Sequence, residues 1–238
     1  MGKKMTYSKF YDPYPEDILK IESSIREKDK VLDVGGWWKP LARANVVIDI
    51  LPYKTRGGGG IIGTKKREYF SEKNWIEFDI CSSRWPFKDK EFDFVHCGQT
   101  LEDVRDPIFV CREIMRVGKR GVITVPTIWI ECQGGIDAYP ESNLYCGFDK
   151  HRWLVRVVEN GLIFIPKLHS LMVFEYVSEG IKRKYIKYHR MWSDIFFWEG
   201  EFFVQECSFQ GFRELKPILD DYFANFDYEK ITNSSRKG

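Results

Sequence analysis

No stretch of this 238-residue sequence approaches the ~18 consecutive apolar residues of a membrane-spanning helix. The longest apolar runs, such as Gly161 to Pro166, are of strand length. Lys3 and Lys4 are followed by no apolar run, so no signal peptide is expected. Cys-x-x-Cys is missing as well: Cys81, Cys97, Cys111, Cys132, Cys146 and Cys207 are scattered. That spacing excludes a zinc cluster, and no metal site is expected. A chain of this length needs no covalent staples, so the expectation is reduced thiols and a cytoplasmic location. Net charge is nearly absent, at a formal +2. Overall charge therefore argues neither for nor against nucleic acid, and no nucleic-acid partner is expected. Internal repeats are lacking.

What is present is enough for a core: 43% hydrophobic residues and 16% aromatic ones. Length bounds the chain to one domain, residues 1–238, with an elaborate C-terminal part. Val31 to Val34 reads as a short buried strand ended by Gly35 and Gly36, where a ligand can touch backbone because no Cβ stands in the way. Thirteen residues after Gly36, Asp49 ends a second apolar strand, Val46 to Ile48. An acid there can accept hydrogen bonds from both hydroxyls of a ribose. A dinucleotide cradle would need glycine two and five residues after Gly35, and those positions are Trp37 and Pro40. The pattern therefore suits a nucleoside with no phosphate to hold.

The remaining pattern is taken in chain order. Pro15 to Arg26 is expected as a helix, with Ile18, Ile21 and Ile25 on one face. The residues from Trp37 to Asn45 are too few for a crossover helix; a loop with one helical turn is expected. Trp37, Trp38 and Pro40 read either as a lip over a ligand or as core cover. Gly57 to Gly60 reads as a flexible loop; its phosphate-loop spacing fails because Thr64-Lys65 replaces Lys and then Ser or Thr. Trp75 to Ile80 reads as a third strand and Phe92 to Cys97 as a fourth. Asp106-Pro107 should cap a helix to Val117, with Val122 to Val125 as a fifth strand. Strands and helices alternating over residues 31–125 imply a parallel sheet. Beyond Pro126 a long segment to Lys150 is expected on the ligand side. His151 to Asn160 reads as helix and Leu162 to Ile165 as strand. Phe196 to Phe203 reads as a hairpin, and Phe212 to Phe223 as a last helix interrupted by Pro217. Lys182 to Arg190, with Tyr185 and Tyr188 interleaved, reads as a solvated face or as a site for a charged or sugar acceptor.

The ordered set from Val31-Leu32-Asp33-Val34-Gly35-Gly36 through Asp49, Asp79, Trp85-Pro86-Phe87, Phe92-Asp93-Phe94-Val95, Leu101-Glu102-Asp103-Val104, Asp106-Pro107 and Arg112 to Val117 resembles the class I S-adenosylmethionine-dependent methyltransferases, in particular the type 11 group. It covers residues 31–126. The usual third glycine of the first motif is absent, and Leu101-Glu102-Asp103 stands where the family commonly has Leu-Glu-His. His151-Arg152-Trp153 and Phe197-Trp198-Glu199-Gly200 look like a subgroup met among surface-polysaccharide genes.

The resemblance implies a Rossmann-like α/β fold, a mostly parallel sheet with helices on both faces, plus a C-terminal β-hairpin and helix elaboration. It implies S-adenosyl-L-methionine as cofactor, with residues 1–126 binding it and 127–238 on the acceptor side. Gly35, Gly36 and Trp37 would lie against its amino-acid end, Asp49 and Ile50 at its ribose, Asp79 and Ile80 at its adenine. Cys97 and Gly98 would line the floor. The acceptor would be a sugar hydroxyl of a glycan or its precursor. Such a hydroxyl needs a base as its proton leaves, and the candidates are His151, Asp103 and Glu102, with Asp149 behind them. Structural roles compete: a histidine beside arginine is often structural, and Asp103 suits a cap. The acceptor wall is expected between Thr127 and Trp153 and between Lys182 and Gly200. Trp129 and Tyr139 would stack on a ring, and Gln133, Asp137, Asn143 and Arg152 would bond hydroxyls. The competing functions are methylation of another small molecule at O, N or C, a non-catalytic nucleoside-binding module, and a nicotinamide dehydrogenase.

Overall fold

Five short apolar segments rich in β-branched residues set the frame. They are Val31–Val34 (β1), Val46–Asp49 (β2), Trp75–Glu77 (β3), Phe94–Gly98 (β4) and Arg120–Pro126 (β5). In the computed structural model, which describes residues 15–65, 67–136, 144–168, 176–209 and 211–234, all five are parallel in the order β3-β2-β1-β4-β5. All four residues of β1 are buried, as expected of a parallel strand covered on both faces. The order reverses between β1 and β4. The carboxyl ends of those two strands therefore flank the crevice where ligands enter sheets of this kind.

Each face carries a helix. Pro15–Ser24 (α1) begins with proline, whose missing N–H costs nothing there. Its Ile21 packs with Val31, Val47, Phe94 and Val122 on one face. Pro107–Val117 (α2) is capped by the Asp106 carboxylate, which accepts from the Phe109 amide at 2.9 Å. Val110, Cys111, Ile114 and Val117 of α2 pack with Leu32, Val34, Val95 and Ile123 on the other face. Residues 37–45 form a loop with no helical turn; the Leu41 amide bonds the Asp33 carboxylate at 2.8 Å and Leu41 bridges to Ile62. The third strand stops at Glu77, because the chain turns where the Asp79 carboxylate accepts the Cys81 amide.

The glycine loop is not the loose segment expected. The Gly57 and Gly59 amides donate to the Trp37 and Trp38 carbonyls at 2.8 and 2.9 Å. A Cβ on Gly58 or Gly59 would overlap the Trp38 ring. These glycines let backbone lie against the indole.

The second half departs further from expectation. His151 to Asn160 is not helical: Trp153–Val158 (β6) pairs antiparallel with Gly161–Pro166 (β7) around Glu159 and Asn160. The β-branched run Val155, Val157, Val158 suits a pleated strand. This is the C-terminal hairpin, forty residues upstream of where the aromatic run suggested one. Phe196 to Phe203 is instead divided between two sheets. Ser193–Glu199 (β8) lies antiparallel along β5 and makes the sheet edge, whereas Phe203–Glu206 (β9) runs parallel to β7. Alternation along β8 buries Phe196 and Trp198 and leaves Phe197 exposed. Gly200, at φ +75, then turns the chain out of the sheet.

Past β5, Thr127 caps the short helix Ile128–Glu131 (α3). Glu179–Tyr185 (α4) and Tyr228–Ser234 (α6) are further short helices. Phe212–Ala224 (α5) continues through Pro217 without interruption. Leu215 and Leu219 on α5 are fully buried against Ile128, Cys132, Leu154 and Ile165. That burial, ~1.5–3 kcal/mol per large side chain, is of the size needed to offset one proline in a helix. Among the described residues no helix is long and apolar enough to cross a membrane.

Candidate active site

The crevice between β1 and β4 is built from strand ends. Gly35 follows β1 with φ +73, and a Cβ on it would overlap Thr100. A Cβ on Gly36 would overlap the Asp33 carboxylate. The space beside both glycines is thus filled by protein: their missing side chains make room for Thr100 and for the Asp33 carboxylate. Asp33 anchors this turn: its second oxygen meets His96 Nδ1 at 2.6 Å, with both side chains buried. The pair Asp33 and His96 escaped the sequence reading, because one residue hides inside the glycine motif and the other inside β4.

Asp49 closes β2. One carboxylate oxygen accepts the Trp37 amide at 2.9 Å and the other the Leu51 amide at 2.8 Å. Burial pushes its pKa up, and those amide bonds oppose the rise. Beside Asp49, Ile50 is 65% exposed. Trp37 is half-buried and its indole donates to Thr55 Oγ1 at 2.9 Å. Asp79 follows β3 and pairs with Arg105 at 2.7 Å; that hydrogen bond holds its carboxyl below the usual range. Ile80 is buried, and its carbonyl accepts the Trp85 indole. Cys97 lies wholly in the core, where burial drives its thiol pKa far up. Gly98 ends β4 beneath His96 and Thr124, which would crowd a Cβ.

A second polar group lies where the loop after β4 meets the chain entering β6. The Glu102 carbonyl accepts the Arg152 and Trp153 amides at 2.7 and 3.2 Å. The Glu102 side chain is buried, and neither of its oxygens has a hydrogen-bond partner. His151, also buried, sits between two acids. Its Nδ1 is 2.7 Å from Glu131 on α3, and its Nε2 is 3.7 Å from Asp103. Neither that Nε2 nor the facing Asp103 Oδ1 has a hydrogen-bond partner. The other Glu131 oxygen takes Lys167 Nζ at 2.7 Å, and the same ammonium donates to the Phe148 carbonyl at 2.7 Å. Gly147, at φ +64, allows this approach, since a Cβ there would overlap Glu131.

The charges follow from that packing. Burial raises the Glu131 carboxyl, but His151 and Lys167 overcome it and hold the pKa at about 2. Burial lowers His151, yet the Glu131 charge and hydrogen bond, with Glu102 and Asp103 adding, leave it above its ordinary value. Glu102 has only the His151 charge and weaker effects against its burial, and it is pushed up to about 8.

Of the residues singled out in the sequence, the structure brings Gly35, Gly36, Trp37 and Asp49 together at one strand end, with Gly98 on the neighbouring strand. Glu102, Asp103 and His151 meet in the second group, and Asp149 is exposed. Glu131 and Lys167 were missed; a lone acid within Ile128-Trp129-Ile130-Glu131-Cys132 was the available signal. The expected acceptor wall needs correction. Trp129 is fully buried with its indole N–H 3.3 Å from the Tyr228 hydroxyl, so it offers no ring face to a sugar. Gln133 is also fully buried and donates to the Trp129 carbonyl. Arg152 is exposed. Asp137, Tyr139 and Asn143 fall outside the described residues. Among the described residues no group of three His, Cys, Asp or Glu side chains could hold a metal ion.

Residues 61–125 match the family model Methyltransf_11, described as a methyltransferase domain. The match begins downstream of β2 and spans well under half of the chain. No curated protein matches the sequence. Partial likeness extends to solved structures. A SAM-dependent methyltransferase from Methanosarcina mazei shares 20% identity over 49% of this chain and 58% of its own, with TM-score 0.34. A SAM-dependent methyltransferase from Aquifex aeolicus shares 20% over 60% and 82%, with TM-score 0.34. An S-adenosylmethionine-dependent methyltransferase from Mesorhizobium loti shares 14% over 50% and 59%, with TM-score 0.32. The chain spans about half the length of several other solved structures that it matches. The sequence match is to a methyltransferase domain over residues 61–125, and the sheet around it is open, mostly parallel and Rossmann-like.

Proposed function

We propose that this chain methylates a sugar hydroxyl, in a glycan or its activated precursor, with His151 as the base. Residues 1–126 then serve the cofactor and residues 127–238 the acceptor. The observation that carries this reading is the cluster of buried polar atoms without a hydrogen-bond partner: both oxygens of Glu102, Oδ1 of Asp103 and Nε2 of His151. A buried polar atom without a partner costs ~1–3 kcal/mol. Several in one place suit a ligand that brings several groups able both to donate and to accept, as the hydroxyls of a polyhydroxylated ring do.

The residues present fit the cofactor's nucleoside. Asp49, at the end of β2, is the acid placed to accept from a ribose hydroxyl, and exposed Ile50 beside it offers apolar surface. Asp79 and the start of the turn at Ile80 stand at the next strand end for the adenine. When bound, S-adenosylmethionine supplies an electrophilic methyl group and leaves as the neutral thioether S-adenosylhomocysteine. The chain holds the acceptor hydroxyl in line for displacement, which is the main catalytic contribution for such a reaction. His151 Nε2 takes the proton that the hydroxyl loses, while Asp103 accepts a hydrogen bond from a neighbouring hydroxyl and Glu102, whose burial pushes its pKa up to about 8, donates one. Burial of the pair keeps water from competing.

The test is mass spectrometry of a panel of sugars and glycans after incubation with methyl-labelled cofactor. Label on a sugar oxygen is the expected result. Label only on nitrogen, carbon or non-sugar acceptors overturns the acceptor assignment, and no label with stable cofactor binding favours a non-catalytic module.

A further inference from the structure

We propose that Glu131, pinned by Lys167, is a positioning residue that fixes the tautomer and basicity of His151. The proposal rests on the reading of His151 as base and goes beyond it, because neither residue touches the acceptor in the argument above. A carboxylate can only accept. With Glu131 Oε1 at 2.7 Å, the proton of a neutral His151 must therefore sit on Nδ1, and Nε2 must carry the lone pair. That lone pair faces the side of Glu102 and Asp103, at the carboxyl end of β4.

Why Glu131 stays ionised in a dry site is answered by its second oxygen. The Lys167 ammonium lies 2.7 Å from it, and the Glu131, Lys167 and His151 side chains are each 1% exposed. Glu131 is a far weaker proton acceptor than the imidazole, so the proton taken at Nε2 leaves both nitrogens of His151 protonated rather than moving on to Glu131. The imidazolium is stabilised by the charge beside it. The groups that bear on His151 come from four places: Glu131 on α3, Lys167 after β7, Glu102 and Asp103 after β4, and Lys150, which pairs with Asp103 at 3.3 Å. Of these only Glu131 makes a hydrogen bond to the ring. The fold commits resources to this contact, since Gly147 takes φ +64 and gives up a side chain to let Glu131 in.

The test uses the full chain labelled with nitrogen-15 histidine, of which it has four. In wild type, the His151 ring should titrate above the ordinary histidine range and, when neutral, carry its proton on Nδ1. A neutral ring protonated on Nε2 overturns the proposal. Glu131→Gln should lower the ring pKa, and since an amide can also donate, it should mix the tautomers. Turnover should fall by about 10²–10⁴. The rate rises with pH as His151 loses its proton, so the midpoint of that rise should move down in Glu131→Gln, with KM for the cofactor nearly unchanged. Glu131→Asp should restore part of the rate. Because Glu131→Gln strands the Lys167 charge and could unfold the chain, Glu131→Gln with Lys167→Met provides an uncharged pair for the same readings. A folded variant of either kind with wild-type turnover and wild-type midpoint overturns the proposal. Should His151→Ala retain full turnover while the wild-type ring titrates as described, the base reading fails and the Glu131 contact is structural.

Discussion

Replacing Lys167 by methionine should expose how tightly the buried ion pair is coupled to the fold. The ammonium makes two contacts of 2.7 Å, to Glu131 Oε2 and to the Phe148 carbonyl, and both charged side chains are 1% exposed. Methionine refills most of the volume, so packing loss is small. What remains is an ionised Glu131 out of water with only His151 beside it. Removing one partner of a buried pair costs ~3–5 kcal/mol. For a chain of this size that is a fall of roughly 6–20 °C in thermal midpoint. Glu131→Gln with Lys167→Met leaves neither charge and should cost less than the sum of the single changes by about 1–3 kcal/mol. The pH dependence has a definite sign. Glu131 is held at about 2 in the folded state against 4.5 unfolded. Its stabilising contribution is present above the unfolded value and is lost as pH falls toward about 2. The gap between wild type and Lys167→Met should therefore narrow below about pH 4.5. Urea denaturation of all four proteins, followed by tryptophan fluorescence at several pH values, makes the measurement. A Lys167→Met cost below about 1 kcal/mol, or strict additivity in the cycle, refutes the reasoning.

Three further outcomes are expected. Gly147→Ala should destabilise by about 1–3 kcal/mol through backbone strain alone, and more because its Cβ would overlap Glu131; thermal denaturation checks it. Glu102 is neutral-preferring in the fold, with a pKa of about 8 against 4.5, so its contribution favours folding at low pH and is lost as pH rises from 4.5 to about 8; Glu102→Gln should flatten the stability profile across that window. His151→Ala should cut turnover by ~10²–10⁴ with cofactor affinity nearly unchanged, and steady-state kinetics beside calorimetry separates the two effects.

The first half of the chain was legible because its signals are local. Val31 to Val34 is apolar throughout and stops at glycine, and Asp106-Pro107 announces α2 within two residues. The second half turns on pairings that local signals do not carry. Leu154 and Val155 are consecutive and both buried, so β6 lacks the alternation that separates strand from helix. The two-residue loop is Glu159-Asn160, with Val158 paired to Gly161, so the adjacent Asn160-Gly161 does not form the central pair of a primed turn. The aromatic run from Phe196 to Phe203 does read as extended, but its division between two sheets is tertiary information. The same holds for the site. The place of Asp49 at the end of β2 could be read from its distance to a glycine pair, whereas His151 meets Glu131 across 20 residues and Glu131 meets Lys167 across 36. Nothing in the spacing of those three residues suggests a cluster, and only the docking of α3 against β6 and β7 makes one. Trp129 was misread for the converse reason: an aromatic in a segment expected to be an exposed loop turned out to be core.

The central claim is that the crevice at the β1 and β4 ends, with Asp49 at its side, holds an S-adenosyl nucleoside. Calorimetric titration with S-adenosylhomocysteine tests it most directly, with Asp49→Ala in parallel. The account predicts saturable binding to the wild-type chain, weakened in Asp49→Ala by ~1.5–3 kcal/mol, the scale of a hydrogen bond to a charged group, and no binding of NAD. Binding of NAD without S-adenosylhomocysteine, or S-adenosylhomocysteine affinity unchanged in Asp49→Ala, would contradict it.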